Sequence, residues 1–104
     1  MNPKKVFLYG ELQISAPFST VDWKTINIGL KNVPGLLQKT WLSGIGTNTV
    51  GGLYVFDSLE HARSFAVGPY AQEASQMGAS LTVKLFDGDI VEEASRDMKS
   101  PHYN

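Results

Sequence analysis

A chain of 104 residues can bury one hydrophobic core but is too short for two, so a single domain covering residues 1–104 is predicted. The formal net charge of -1 offers neither a basic field for nucleic acid nor a one-signed stripe for a membrane surface, and we expect neither partner. Cysteine is absent, which excludes disulfides and thiolate chemistry and is typical of a reducing, cytoplasmic compartment.

Four stretches of the chain have strand character. Residues 4–14 alternate between an aliphatic side and a side of aromatic and polar residues, which predicts the first strand. Residues 36–43 and 51–56 predict the second and third strands, and a polar, glycine-containing loop separates them. Residues 79–86 alternate again and predict the fourth strand.

Helical spacing fills the segments between these strands. The first helix follows Ser19 or Thr20 as its N-cap and ends before Pro34, because a residue that precedes proline avoids helical backbone angles. The second helix begins after Asp57 or Ser58, is expected to break at Gly68-Pro69, then resumes and ends at Gly78. Residues 89–98 predict a short terminal helix.

The element order βαββαβ followed by a helix predicts an α+β, ferredoxin-like sandwich. Its helices can cover only one face of a four-stranded sheet. The other face mixes aromatic with polar side chains, so we expect it to be buried as well. A second copy of the chain, packed sheet on sheet about a two-fold axis, is the economical partner, and a homodimer is therefore predicted.

Short motifs in the central half of the chain resemble those of the YdhR-like family, whose members are described as putative mono-oxygenases. The motifs stand in matching order and spacing and comprise Pro34-Gly35, Lys39, Trp41, GGLYVF at 51–56, Ala62, and VKLFD at 83–87. The resemblance implies a homodimeric α+β barrel with a pocket between sheet and helices in each subunit. Related barrels include cofactor-independent oxygenases of polyketide aromatics, haem-degrading oxygenases, cyclases and stress proteins, so the resemblance specifies fold better than reaction.

Lys39 and Trp41 are two residues apart on the second strand, so their side chains share one side of the sheet. One interpretation is a pocket wall, where a planar substrate stacks on the indole while the ammonium attracts a phenolate or enolate. The other is that Trp41 fills a core or a dimer interface and Lys39 extends to water with its stem over the ring. Lys39 is a catalytic candidate under the first interpretation.

Further aromatic residues complete the predicted substrate-binding set, which comprises Trp41, Tyr54, Phe56, Phe65 and Tyr70. Tyr54 stands out because a buried phenol hydroxyl needs a partner, and a ligand oxygen could be that partner. Tyr70 follows the expected helix break and would cover the pocket. Simple packing in the core is the alternative for each of these rings.

His61 is the second catalytic candidate, because an imidazole transfers protons readily near neutral pH. The alternative is a surface residue on the polar side of an amphipathic helix. The acidic cluster Asp87, Asp89, Glu92 and Glu93 lacks a histidine at ligand spacing, so we interpret it as a cap and a solvated helix face and predict no metal site.

The predicted function is a cofactor-independent mono-oxygenase that acts on a small planar aromatic or polyketide-like phenol or enol. No cofactor is expected, since an enolate can pass an electron to oxygen without flavin or metal. Haem-degrading relatives carry a tryptophan where this chain has Phe56 and an iron-binding histidine in the second helix, where residues 66–76 have none. The alternatives are a non-catalytic small-molecule-binding or stress-response barrel and a polyketide cyclase or isomerase.

Overall fold

Four eight-residue strands form one antiparallel sheet in the computed structural model, which describes residues 2–103. The strands are β1 (Val6–Gln13), β2 (Leu36–Ser43), β3 (Thr49–Phe56) and β4 (Ser80–Asp87). Their order across the sheet is β2-β3-β1-β4, so β1 and β3 are central and β2 and β4 are edges. With helices between β1 and β2 and between β3 and β4, the predicted α+β, ferredoxin-like architecture is confirmed.

Three of the helices, those between β1 and β2 and between β3 and β4, lie against one face of this sheet, and the fourth follows β4 beside the other face. They are α1 (Trp23–Leu30), α2 (Leu59–Phe65), α3 (Ala71–Met77) and the short α4 (Glu92–Asp97), with a 3-10 turn at Phe18–Thr20 and a π-helical turn at Ala66–Tyr70. Among residues 2–103, no helix is long and apolar enough to cross a bilayer.

Cap residues explain the starts of α1 and α2 and the end of α3. Ser58 is the N-cap of α2, as predicted, and its Oγ accepts a hydrogen bond from the His61 N–H at 3.1 Å. The predicted caps of α1 are wrong, since Asp22 accepts from the Thr25 N–H there and the Thr20 hydroxyl donates back to the carbonyl of Pro17. Gly78 ends α3 with a φ of 65°, the left-handed conformation that glycine adopts without penalty.

The predicted interruption at Gly68-Pro69 is present, since α2 ends before these residues and α3 begins after them, but the chain stays helical between the two through the π-helical turn. Its wider hydrogen-bond spacing accommodates Pro69, which lacks an N–H and would clash with the preceding turn of a regular α-helix. α3 follows directly after this π-helical turn. Tyr70, the last residue of the turn, is 1% exposed and points into the core.

Two facing glycines leave space at the centre of the sheet face that packs against the helices. Gly10 of β1 pairs with Gly52 of β3, and the Tyr70 ring occupies the place that a Cβ at Gly10 would need. A Cβ at Gly52 would lie 2.7 Å from Cε of Lys39. The glycines therefore let two polar side chains lie flat against the sheet where larger residues would exclude them.

The second sheet face is only partly covered. Tyr103 donates a hydrogen bond to the Gly88 carbonyl at 2.7 Å, and the rings of His102 and Tyr103 pack edge-on against Phe7. This C-terminal segment shields one end of the face. Phe86, beside Phe7 on β4, remains 50% exposed.

Candidate functional site

Lys39, Trp41 and Tyr54 all face the helices, because β2 pairs with β3 so that Lys39 lies opposite Tyr54 and Trp41 opposite Gly52. A β-bulge at Leu37 sets this arrangement. Leu36 is opposite the inward-facing Phe56. Lys39 is three positions further along the strand and would face the other side of a regular strand, but the extra residue of the bulge brings it to the same face as Leu36.

Two spaces meet at these side chains. An open cleft of about 340 Å³, here called the outer cleft, lies between α1 and the edge strand β2. A space of about 20 Å³, the inner cavity, lies deeper between sheet and helices and has room for about one water molecule. Lys39 and Trp41 line both and form the partition between them.

Trp41 is held firmly in this partition. Its indole Nε1–H donates a hydrogen bond of 3.0 Å to Oδ1 of Asn27 on α1, and Phe18 packs edge-on against the ring at a centroid distance of 5.6 Å. One end of the indole is therefore fixed to α1, and the ring forms a flat part of the partition.

Lys39 turns inward instead of extending to water. Its Nζ lies 3.3 Å from the centroid of the Trp41 ring and 4.7 Å from that of Tyr54, so two aromatic faces take the place of solvent. The ion pairs within residues 2–103 join Asp57 to His61 and Glu92 to Arg96, and Lys39 takes part in neither. Burial lowers the pKa of the Lys39 ammonium to about 8.

Three more polar groups line the inner cavity: Tyr54, Tyr70 and Glu73. Burial raises the pKa of Tyr54 far above its ordinary value and that of Tyr70 to about 12, so both phenols stay protonated and can donate hydrogen bonds. Burial also raises the pKa of Glu73, and the Lys39 charge opposes this shift. An acid, a base and two neutral donors thus share one small space.

The structure places the remaining predicted residues elsewhere. Phe56 and Phe65 are buried behind Tyr54 and line neither the outer cleft nor the inner cavity, while the Phe65 ring packs 5.2 Å from those of Tyr54 and Tyr70. His61 lies in a separate groove with its Nδ1 2.7 Å from Oδ1 of Asp57, and this hydrogen bond lowers the pKa of Asp57. His61 is therefore not brought together with Lys39.

Asn27 and Glu73 belong to the site but were not predicted from the sequence. Glu73 is three residues after Tyr70, so helical spacing puts both on one face. Asn27 likewise precedes the inward-facing Leu30 by three residues. Within residues 2–103, no three His, Asp or Glu side chains are arranged to hold a metal ion.

Replacing Lys39 with methionine should stabilise the protein by about 1–3 kcal/mol at pH 7. The folded-state pKa of Lys39 lies below its unfolded value of 10.5, so below pH 8 the folded protein carries a buried charge that methionine removes. The gain should shrink as pH rises from about 8 to 10.5, where the native amine sheds its proton. Urea unfolding of both proteins at several pH values across this range measures the gain in the free energy of unfolding. The matched change at exposed Lys31 should have little effect, and a gain that is equal for both variants would contradict the account.

Comparison with known proteins identifies the family of this chain. No curated protein matches the chain. The family described as "Putative mono-oxygenase ydhR" matches residues 14–100, which include α1, all of β2, β3 and β4, both residues of the partition and every residue that lines the inner cavity except Leu12. Because the match covers far more than half of the chain, the protein belongs to the ydhR family.

Proposed function

We propose that the protein is a cofactor-independent mono-oxygenase whose substrate is a small planar phenol or enol, bound as its anion at Lys39 and Trp41. The observation that carries this proposal is the inward-turned ammonium of Lys39, held over an aromatic wall at the boundary of an open cleft. An ammonium that has no carboxylate of residues 2–103 within ion-pair distance favours any anion that reaches it, so a bound phenol or enol would lose its proton more readily there. Trp41 supplies the flat surface on which such a ring stacks.

The other groups of the inner cavity fit the remaining steps. A ligand in the outer cleft meets the partition and not the inner cavity, so Glu73 is the candidate acceptor of the substrate proton by relay through the Lys39 amine, with the neutral hydroxyls of Tyr54 and Tyr70 in the same cavity behind it. The enolate carbon passes electrons to O₂. Overall, a CH₂ group and O₂ become a carbonyl and water, which balances without a flavin or metal.

Oxygen consumption with anthrone, a planar enolisable ketone, tests this proposal. We expect uptake by the wild type, with one carbonyl formed for each O₂ consumed. Lys39→Met should slow the reaction about tenfold or more, because the anion loses its charge partner, whereas Lys24→Met should not, since Lys24 is exposed and lines neither the outer cleft nor the inner cavity. Uptake that is unaffected by Lys39→Met would overturn the role of the ammonium.

A non-catalytic binding protein is the second candidate, and the size of the inner cavity favours it. A space of about 20 Å³ cannot admit a ring, so a ligand would lie in the outer cleft, partly open to water. Binding of anthrone without oxygen uptake would support this candidate.

A cytoplasmic location stays a prediction of the sequence.

We also propose that the protein is a homodimer whose subunits pack through the second sheet face. This face has an apolar groove of about 530 Å³ lined by Phe7, Leu53, Phe86, Ile90 and Val91, and Ile90 is 80% exposed. A second copy packed across the groove would remove this surface from water.

Sedimentation at micromolar concentration should give twice the chain mass. A charge at the centre of the face, Leu53→Glu, should shift the protein to monomer, whereas Ile45→Glu in the exposed loop before β3 should leave it dimeric. A wild-type monomer under these conditions would refute the dimer.

A further inference from the structure

The side chain of Lys39 has features that its proposed electrostatic role does not require. Lys39 lines the outer cleft as well as the inner cavity, so a molecule in the cleft meets this residue without entering the inner cavity. Lysines that serve only as surface cations extend to water. Here the stem crosses Gly52 and the amine lies between the Trp41 and Tyr54 rings.

These surroundings suit an amine nucleophile. A lysine attacks carbonyl compounds only as the neutral amine, which a carboxylate partner would suppress and an apolar pocket favours. No carboxylate in residues 2–103 is within ion-pair distance of Lys39. Burial outweighs the opposing charge of Glu73 and lowers the pKa of this amine to about 8, which adds to the neutral fraction near physiological pH.

We propose that Lys39 captures small planar aldehydes or ketones from the outer cleft as an imine. The nitrogen lone pair forms a C–N bond to the carbonyl carbon while the C=O π bond breaks, giving a carbinolamine. Glu73, which lines the same inner cavity, moves the protons, so that the carbinolamine oxygen leaves as water and the C=N bond forms. Amine and carbonyl compound become imine and water, with no change of oxidation state. An aryl carbonyl compound fits best, because its ring can stack on Trp41 within a cleft of about 340 Å³.

Reductive trapping tests this inference directly. The folded protein is incubated at pH 7.5 with benzaldehyde and sodium cyanoborohydride, which converts the imine to a stable benzylamine, and peptide mass spectrometry reports the modified lysines. We expect Lys39 to be modified about tenfold or more faster than the exposed Lys31 in the same sample. The advantage should disappear in urea, where both residues meet the same solvent. Equal rates at the two lysines in the folded protein would overturn the proposal.

Two variants test this activity, and trapping and oxygen uptake measured together separate it from the proposed oxygenase. Lys39→Arg removes the nucleophile, so it should abolish the fast modification at this position. Glu73→Gln should slow trapping at Lys39 and leave Lys31 unchanged. Fast trapping in a protein that consumes no oxygen would reject the oxygenase alone, whereas oxygen uptake with slow trapping would reject the imine alone.

Discussion

Replacing Gly51 with alanine should lower the free energy of unfolding by about 3 kcal/mol, the largest effect on stability expected here from adding one methyl group. A Cβ at Gly51 would overlap the carbonyl oxygen of Gly10 in the neighbouring strand. That oxygen belongs to the backbone of the central strand β1 and cannot rotate away as a side chain can. The central β1–β3 ladder would have to shift, and the inner cavity with it.

The matched control is Gly29→Ala, which lies on the exposed side of α1. Nothing is within 4 Å of the added Cβ there, and alanine is the better helix former, so we expect a gain of up to about 1 kcal/mol. Urea unfolding of both variants measures the contrast. Equal stabilities would mean that the strands adapt to a Cβ at Gly51, contrary to the packing described.

Replacing Trp41 with leucine should weaken binding of a planar phenolate about tenfold or more, the largest effect expected on ligand affinity. Leucine keeps an apolar side chain in the partition but removes the flat π face on which a ring would stack. The probe is 4-nitrophenolate at pH 8, and isothermal titration gives the affinity.

Asn27→Ala provides the control for this experiment, because it removes the hydrogen bond to the indole Nε1 but leaves the π face in place. Its effect on affinity should be the smaller of the two. If Trp41→Leu loses stability but binds the phenolate as tightly as wild type, Trp41 only packs in the core and the phenolate does not stack on its ring.

Much of the fold was predictable, because strand alternation and turn residues act locally. The bounds of β2 match the prediction of 36–43, since Pro34-Gly35 precedes it and a polar, glycine-containing loop follows it. Alternation also placed Lys39 beside Trp41. It could not show which face the helices cover, because that depends on the register with β3 and on the bulge at Leu37.

The site was predicted in part for a related reason. Trp41, Tyr54 and Tyr70 were chosen as aromatic residues, and the structure brings them together around the inner cavity. Glu73 was missed because a glutamate on a helix is ordinarily a solvated residue, and only the path of the π-helical turn into α3 directs it to the sheet. His61 was grouped with Lys39 by chemical type, but its hydrogen bond to Asp57 holds it in another groove.

Proton–nitrogen correlation spectra of the two tryptophan side chains, Trp41 and Trp23, test the central claim most directly. The indole N–H of Trp41 lies in the partition and donates to Asn27, whereas Trp23 lines neither the outer cleft nor the inner cavity and serves as an internal reference. On titration with 4-nitrophenolate, the account predicts a saturable shift of the Trp41 resonance and a constant Trp23 resonance, with the shift much reduced in Lys39→Met. Saturable binding that leaves Trp41 unmoved, or moves both resonances alike, would contradict a site at Lys39 and Trp41.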